Sequence, residues 1–93
     1  VIISFGDKET KKVFNQTFSK RYPLEIQKRA LTKLILLDNA ENEQDLASPP
    51  SNRLESLKGN LVGYFSIRVN DQWRIVFQFE KGNCKNVSII DYH

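Results

Sequence analysis

Apolar side chains recur along this chain with two different periods, helical in the first half and alternating in the last third. Val1 to Phe5 is a short β-rich run. Gly6-Asp7 follows it as a turn, with Asp7 placed to cap a helix through its side-chain oxygen. Over residues 8 to 20, Val13, Phe14, Thr17 and Phe18 lie at helical spacing among lysines, which predicts a narrow amphipathic helix. Pro23 suits the first turn of a second helix running to about Asp38, with Leu24, Gln27, Leu31, Leu34 and Ile35 on one face and Ala30 beside them. Leu36 and Leu37 widen that surface, toward either the sheet or a partner chain. Residues 39 to 53 read as a long loop around the pair Pro49-Pro50, with Glu43 to Leu46 as a single helical turn inside it.

From Leu61 onward the period is two. Phe65, Ile67 and Val69 alternate with Tyr64, Ser66 and Arg68; after Asn70-Asp71, Trp73, Ile75, Phe77 and Phe79 alternate with Arg74, Val76 and Gln78. A turn at Lys81-Gly82-Asn83 leads to a third strand, Lys85 to Ile90. The predicted architecture is α+β: an N-terminal strand, then two helices on one face of a small, mainly antiparallel sheet that ends in a three-stranded meander. At 93 residues the chain is one domain, 1–93, since a second core would need roughly 50 more patterned residues.

Composition narrows the chemistry. Cys84 is the only thiol and His93 the only histidine, so an internal disulfide or a cysteine-based zinc site is excluded and no metal or other cofactor is expected. No apolar run approaches the ~18 residues of a membrane span and no signal peptide opens the chain, so a cytoplasmic protein without membrane contact is expected. The net charge of +3 is uneven: residues 7 to 33 carry eight Lys or Arg against three Asp or Glu, while 38 to 45 carry four acids and no base. This leans toward a polyanionic partner, although solvated helix faces would look the same.

Register sharpens the picture. If the apolar residues of the first hairpin share one core, 65, 67 and 69 lie across from 77, 75 and 73, and Arg68 then faces Arg74. Cross-strand guanidinium groups repel, at a cost of a few tenths to about 1 kcal/mol. Either each arginine splays toward a carboxylate such as Glu80 or Asp91, or the pair brackets a phosphate. The segment 52 to 59 adds Arg53, Glu55 and Lys58, and the last strand delivers Asp91, Tyr92 and His93 to the same neighbourhood. A base, an acid and fixed cations are what RNA cleavage through the 2′-hydroxyl requires.

The run NRLESLKGNLVGYFSIRVNDQWRIVFQF, with the VIISF start and the terminal IDYH, resembles HigB-type toxins of the RelE/ParE superfamily, the toxin halves of type II toxin-antitoxin pairs. The resemblance spans nearly the whole chain. LKG at 57 to 59, the SIRVNDQWRI hairpin and DYH are its most specific parts. It implies two helices on a small antiparallel sheet, and a metal-independent endoribonuclease that cuts mRNA in the A site of the 70S ribosome and so inhibits translation. It also implies a HigA-type helix-turn-helix antitoxin, through whose complex alone operator DNA would be bound. The catalytic residues it implies are Lys58, Arg74, Asp91, Tyr92 and His93. Charge and register add Arg53 and Arg68 as RNA-phosphate ligands. Glu55 stands where some relatives carry a histidine; a carboxylate can take the 2′-hydroxyl proton but cannot act as a cation toward the phosphorane, so weak cleavage is expected. The alternative on the same fold is a toxin without catalysis, directed at DNA gyrase or blocking the ribosome.

Overall fold

Asp7 ends the opening extended segment and starts the first helix, its carboxylate accepting from the Thr10 amide at 2.7 Å. The computed structural model describes residues 1–91, and Tyr92 and His93 lie outside them. Helix α1 covers Lys8–Phe14, shorter than the predicted 8 to 20. Gln16 takes φ 60°, and the Thr17 and Gln16 amides donate to the Lys12 and Val13 carbonyls, a Schellman stop made without glycine. Phe18 consequently leaves the helix and is exposed.

Gln27, on α2, holds the connection that follows. Its Nε2 donates to the carbonyls of Ser19 and Tyr22, each at 2.8 Å, and its Oε1 accepts from the Ser19 amide at 3.1 Å. A buried backbone corner is thereby satisfied by one helix side chain. Pro23 caps α2, which runs Leu24–Asn39, within a residue of the expected end. Of the expected face Gln27, Leu34 and the neighbouring Ala30 are buried, but Ile26 and Leu37 join them while Leu24 and Ile35 are 61% and 47% exposed. The helix is therefore rotated from the expected face, and Leu37 is in the core and closed to a partner. The predicted long loop holds helix α3, Glu43–Ala47, capped by Asn42 and anchored by the fully buried Leu46. A 3-10 turn, Pro50–Asn52, follows.

The sheet has four antiparallel strands in the order β1-β2-β3-β4: Glu55–Ser56, Tyr64–Arg68, Trp73–Glu80 and Asn83–Asp91. The hairpin register is the expected one, with Phe65 across from Phe77, Ile67 from Ile75 and Arg68 from Arg74. Lys81 and Gly82 both have positive φ, the turn geometry whose twist matches a two-residue hairpin. The predicted N-terminal strand is only a ribbon: residues 1 to 5 run parallel to β4, bridged at Ile2–Cys84 and Phe5–Val87.

Helices cover one face of the sheet. There Val13, Ile26, Leu34 and Leu37 meet Ile67, Ile75, Phe77, Val87 and Ile89, with Phe77 wholly buried. Thr10 links the two layers, its buried hydroxyl accepting from the Ile89 amide at 2.9 Å. The other face carries the candidate site.

Candidate functional site on the open face of the sheet

Alternation along β2 and β3 sends Tyr64, Ser66, Arg68, Arg74, Val76 and Gln78 to the face away from the helices. On β4 the pairing shifts between Val76 and Gln78, so that two residues stand against one at Asn86, which takes φ 53°. That bulge brings Asn86 to the open face, where its Nδ2 donates to Gln78 Oε1 at 2.7 Å. Ser88 and Ile90 continue the same face opposite Val76 and Arg74. Val76, Asn86, Ser88 and Ile90, together with Gly6, Leu57, Lys58, Leu61 and Tyr64, line an open groove of about 770 Å³, and Arg74, across from Ile90, lies just past them. The floor of the groove is largely apolar and its rim polar.

Lys58 reaches the rim through the LKG segment. The Leu57 amide donates to the Tyr64 carbonyl at 2.9 Å, and Gly59, at φ 68°, turns the chain back into a short 3-10 turn, Gly59–Leu61. A side chain at position 59 would be strained in that conformation.

At the end of the groove nearest the first hairpin sits Arg74. It is 7% exposed, although alternation puts it on the face that the helices leave open. Its Nη2 donates to the Arg53 carbonyl at 2.6 Å and to the Ser66 carbonyl at 3.4 Å, and its Nη1 meets Glu55 Oε1 at 3.4 Å. Arg53 offers its carbonyl because it sits at φ 47°, ending the 3-10 turn. Glu55 is in place because residues 55 and 56 form β1, with Glu55 directly across from Ser66. The two-residue strand gives no periodic signal, so the sequence placed Glu55 near the site but not in the sheet. Arg74 therefore holds a half-exposed carboxylate at the groove's end.

The facing arginines separate. Arg68 pairs with Asp71 of the hairpin turn, and Arg74 with Glu55; these acids replace the expected Glu80 and Asp91. Asp91 pairs with Trp73, so its side chain starts on the helix-covered side, and its carboxylate accepts from Gln72 Nε2 at 3.2 Å. The structure thus brings Glu55 and the backbone carbonyl of Arg53 onto Arg74, places Lys58 among the groove-lining residues and Arg68 across from Arg74, and sets Asp91 at the end of β4 on the other parity. Tyr92 and His93 lie outside the described residues. Cys84 is fully buried, and burial pushes its thiol up to about 11, so it is a packing group at neutral pH. Among the described residues no cluster of His, Cys, Asp or Glu could hold a metal ion, and no helix is long and apolar enough to cross a membrane.

Residues 3–93 match the family model of the HigB-like toxin, the RelE-like toxin of type II toxin-antitoxin systems. The chain is 40% identical over 92 residues to Toxin HigB-1 of Vibrio cholerae, covering 98% of this chain and 96% of that one. It is 33% identical to Endoribonuclease HigB of Proteus vulgaris over the full length of both. Among solved structures it is similar to a YoeB-YefM complex from Staphylococcus aureus, with TM-score 0.64 and 24% identity over 100% of this chain and 95% of that one. YafQ from E. coli has TM-score 0.60 at 15% identity, over 98% and 91% of the two chains. At such identities these two structures establish the shared RelE-like fold, while the family match and the curated relatives establish more: the chain belongs to the HigB-like toxins of type II toxin-antitoxin systems.

Proposed function

We propose that this toxin is a ribosome-dependent endoribonuclease that cuts mRNA in the ribosomal A site, and that a HigA-type antitoxin neutralises it. The observation that carries the reading is the Arg74–Glu55 pair at the end of an open groove, in a chain related over its full length to a protein named Endoribonuclease HigB. The apolar floor with Tyr64 suits nucleobases, and Lys58 on the rim suits the backbone.

In this mechanism Glu55 takes the proton of the 2′-hydroxyl, whose oxygen then bonds to the adjacent phosphorus. Charge grows on the phosphorane oxygens, and Arg74 and Lys58 stabilise it as the bond to the 5′-oxygen breaks. His93 supplies the proton that the leaving 5′-oxygen takes, and Tyr92 steers it. The products are a 2′,3′-cyclic phosphate and a free 5′-hydroxyl. Glu55 is preferred to Asp91 as the base because it lies on the groove face beside Arg74. Asp91 ties the end of β4 to the hairpin through Gln72.

The test is to translate a defined mRNA on purified ribosomes, add the protein, and map cuts by primer extension. Glu55→Gln should lower the cleavage rate by about 10²-fold or more, the typical contribution of a general base, and His93→Ala should do the same. Absence of cuts with the native chain would sink the nuclease reading. Cuts at native rate with Glu55→Gln would remove Glu55 from it.

A further inference from the structure

Beyond the groove, Lys33 and Arg29 of α2, which the sequence did not single out, join Arg68 and Arg53, which it did. Asn52 is wholly buried, and its Nδ2 donates to the carbonyls of Leu46 at 3.0 Å and Ser48 at 3.1 Å. Those bonds leave its Oδ1 facing out, where it accepts from the Lys33 ammonium. A neutral amide thus fixes a lysine. Among the described residues no carboxylate reaches Lys33 as an ion-pair partner. Arg29 lies one helical turn before it on α2, at the spacing that stacks two side chains on one face. Burial, with Arg29 and Arg68 nearby, holds the Lys33 ammonium below the usual lysine range. Arg68, Arg53 and Arg29 likewise all act on Asp71, whose own hydrogen bond to Arg68 holds it below the usual carboxylate range.

Cations from three different elements therefore gather here: Arg68 pairs with the fully exposed Asp71 at the tip of a turn, Lys33 and Arg29 share one face of α2, and Arg53 directly follows the Asn52 that holds Lys33. Folding does not call for this arrangement: like charges repel, and an ammonium held by a neutral amide lacks the counter-charge that partly buried cations usually have. Asp71 occupies the place of an anion, but as a solvent-exposed side chain it is weakly held and easily displaced.

We infer that Lys33, Arg29, Arg53 and Arg68 form a second phosphate seat, separate from the Arg74–Glu55 pair, which grips the RNA backbone away from the bond to be cut, with Asp71 as the counter-ion that RNA displaces. The inference rests on the RNA-cutting reading for its ligand but not for its geometry. With one cation group at the groove's end and another around the sheet edge, the strand is held at two points, and its path over the open face is fixed before chemistry begins. The two facing arginines thus serve different phosphates.

The probe is a fluorescein-labelled, fully 2′-O-methylated RNA dodecamer, which cannot be cut, titrated with the full chain by anisotropy at several salt concentrations. Lys33→Gln together with Arg29→Gln should weaken binding about tenfold at low salt and lower the slope of log K against log salt by about 1. Lys33→Arg should bind nearly as the native chain does. Lys20→Gln, a lysine outside the cluster, should change neither quantity. Thermal unfolding of each variant separates lost charge from lost fold. Unchanged affinity and slope in a folded double variant would overturn the seat, as would absence of measurable binding by the native chain. If the slope falls as expected but ribosomes show no cuts, the nuclease reading fails and the seat stands.

Discussion

The two faces of the sheet are built from the same strands by opposite means. On the helix side, Ile67, Ile75, Phe77, Val87 and Ile89 are shut in by α1 and α2, and alternation in sequence is enough to say so. On the open side, the residues at the intervening positions are held by directed contacts: Arg74 by Glu55 and two carbonyls, Arg68 by Asp71, Gln78 by Asn86. The first face is stabilised by area removed from water, which many residues share. The second depends on a few directed contacts, each of which has to be in place. Substitutions on the helix side should therefore act on stability, and those on the open side on cleavage.

Phe77→Ala should give the largest effect, since deleting a wholly buried ring typically costs about 3–5 kcal/mol. Urea unfolding should show it as a lower midpoint, and cleavage should fall only in proportion to the folded fraction. Arg74→Lys tests the other face. A lysine cannot hold Glu55 and the Arg53 carbonyl together as the guanidinium fork does, so single-turnover cleavage should drop by about 10²–10³, the range seen when one transition-state donor is lost. A native rate with lysine would show that charge alone matters there. Gln27→Ala sharpens the contrast from the stability side: it strips the Ser19 and Tyr22 backbone groups of their partner and should cost about 1–3 kcal/mol, without changing cleavage per folded molecule.

The smallest effect concerns pH. The Ser19 hydroxyl, followed by Lys12, holds Glu9 below the usual carboxylate range. A depressed carboxyl stabilises the fold above its unfolded value and loses that contribution as pH falls through its folded value. Melting temperatures of the native chain and Glu9→Gln should differ at pH 6 and converge toward pH 3. Since the group is exposed, a small gap is expected, and a gap that widened on acidification would contradict the assignment.

How much of this was legible follows the same division. Strand register was readable because a one-residue slip would turn Phe65, Ile67 and Phe77 to solvent. The turn at Lys81-Gly82 and the capping role of Asp7 were readable because each has a local steric or hydrogen-bonding cause. The end of α1 was not, because the stop uses Gln16, a residue without intrinsic preference for positive φ. The rotation of α2 was missed because its apolar residues cover more than one stripe, and only packing selects Ile26 over Leu24. In the site, residue types were readable and partners were not. Arg74 looked exposed because alternation reports the face and says nothing of what covers it; β1 and the 3-10 turn before it, which supply Glu55 and the Arg53 carbonyl, are too short to have a period. Lys33 was passed over as one more helix lysine, since its tie to Asn52 spans 19 positions.

The ribbon formed by residues 1 to 5 has a consequence for how the toxin comes into being. It is bridged to β4, and hydrogen bonds between the opening segment and residues 82 to 87 span 81 to 83 positions. Gly6 and Ser88, which line the same groove, are equally remote in sequence. Pairings of such separation form late, after the shorter-range contacts. Both ends of the chain must therefore be in place before the groove has its full wall, because Asn86, Ser88 and Ile90 come from β4 and Gly6 from the opening segment.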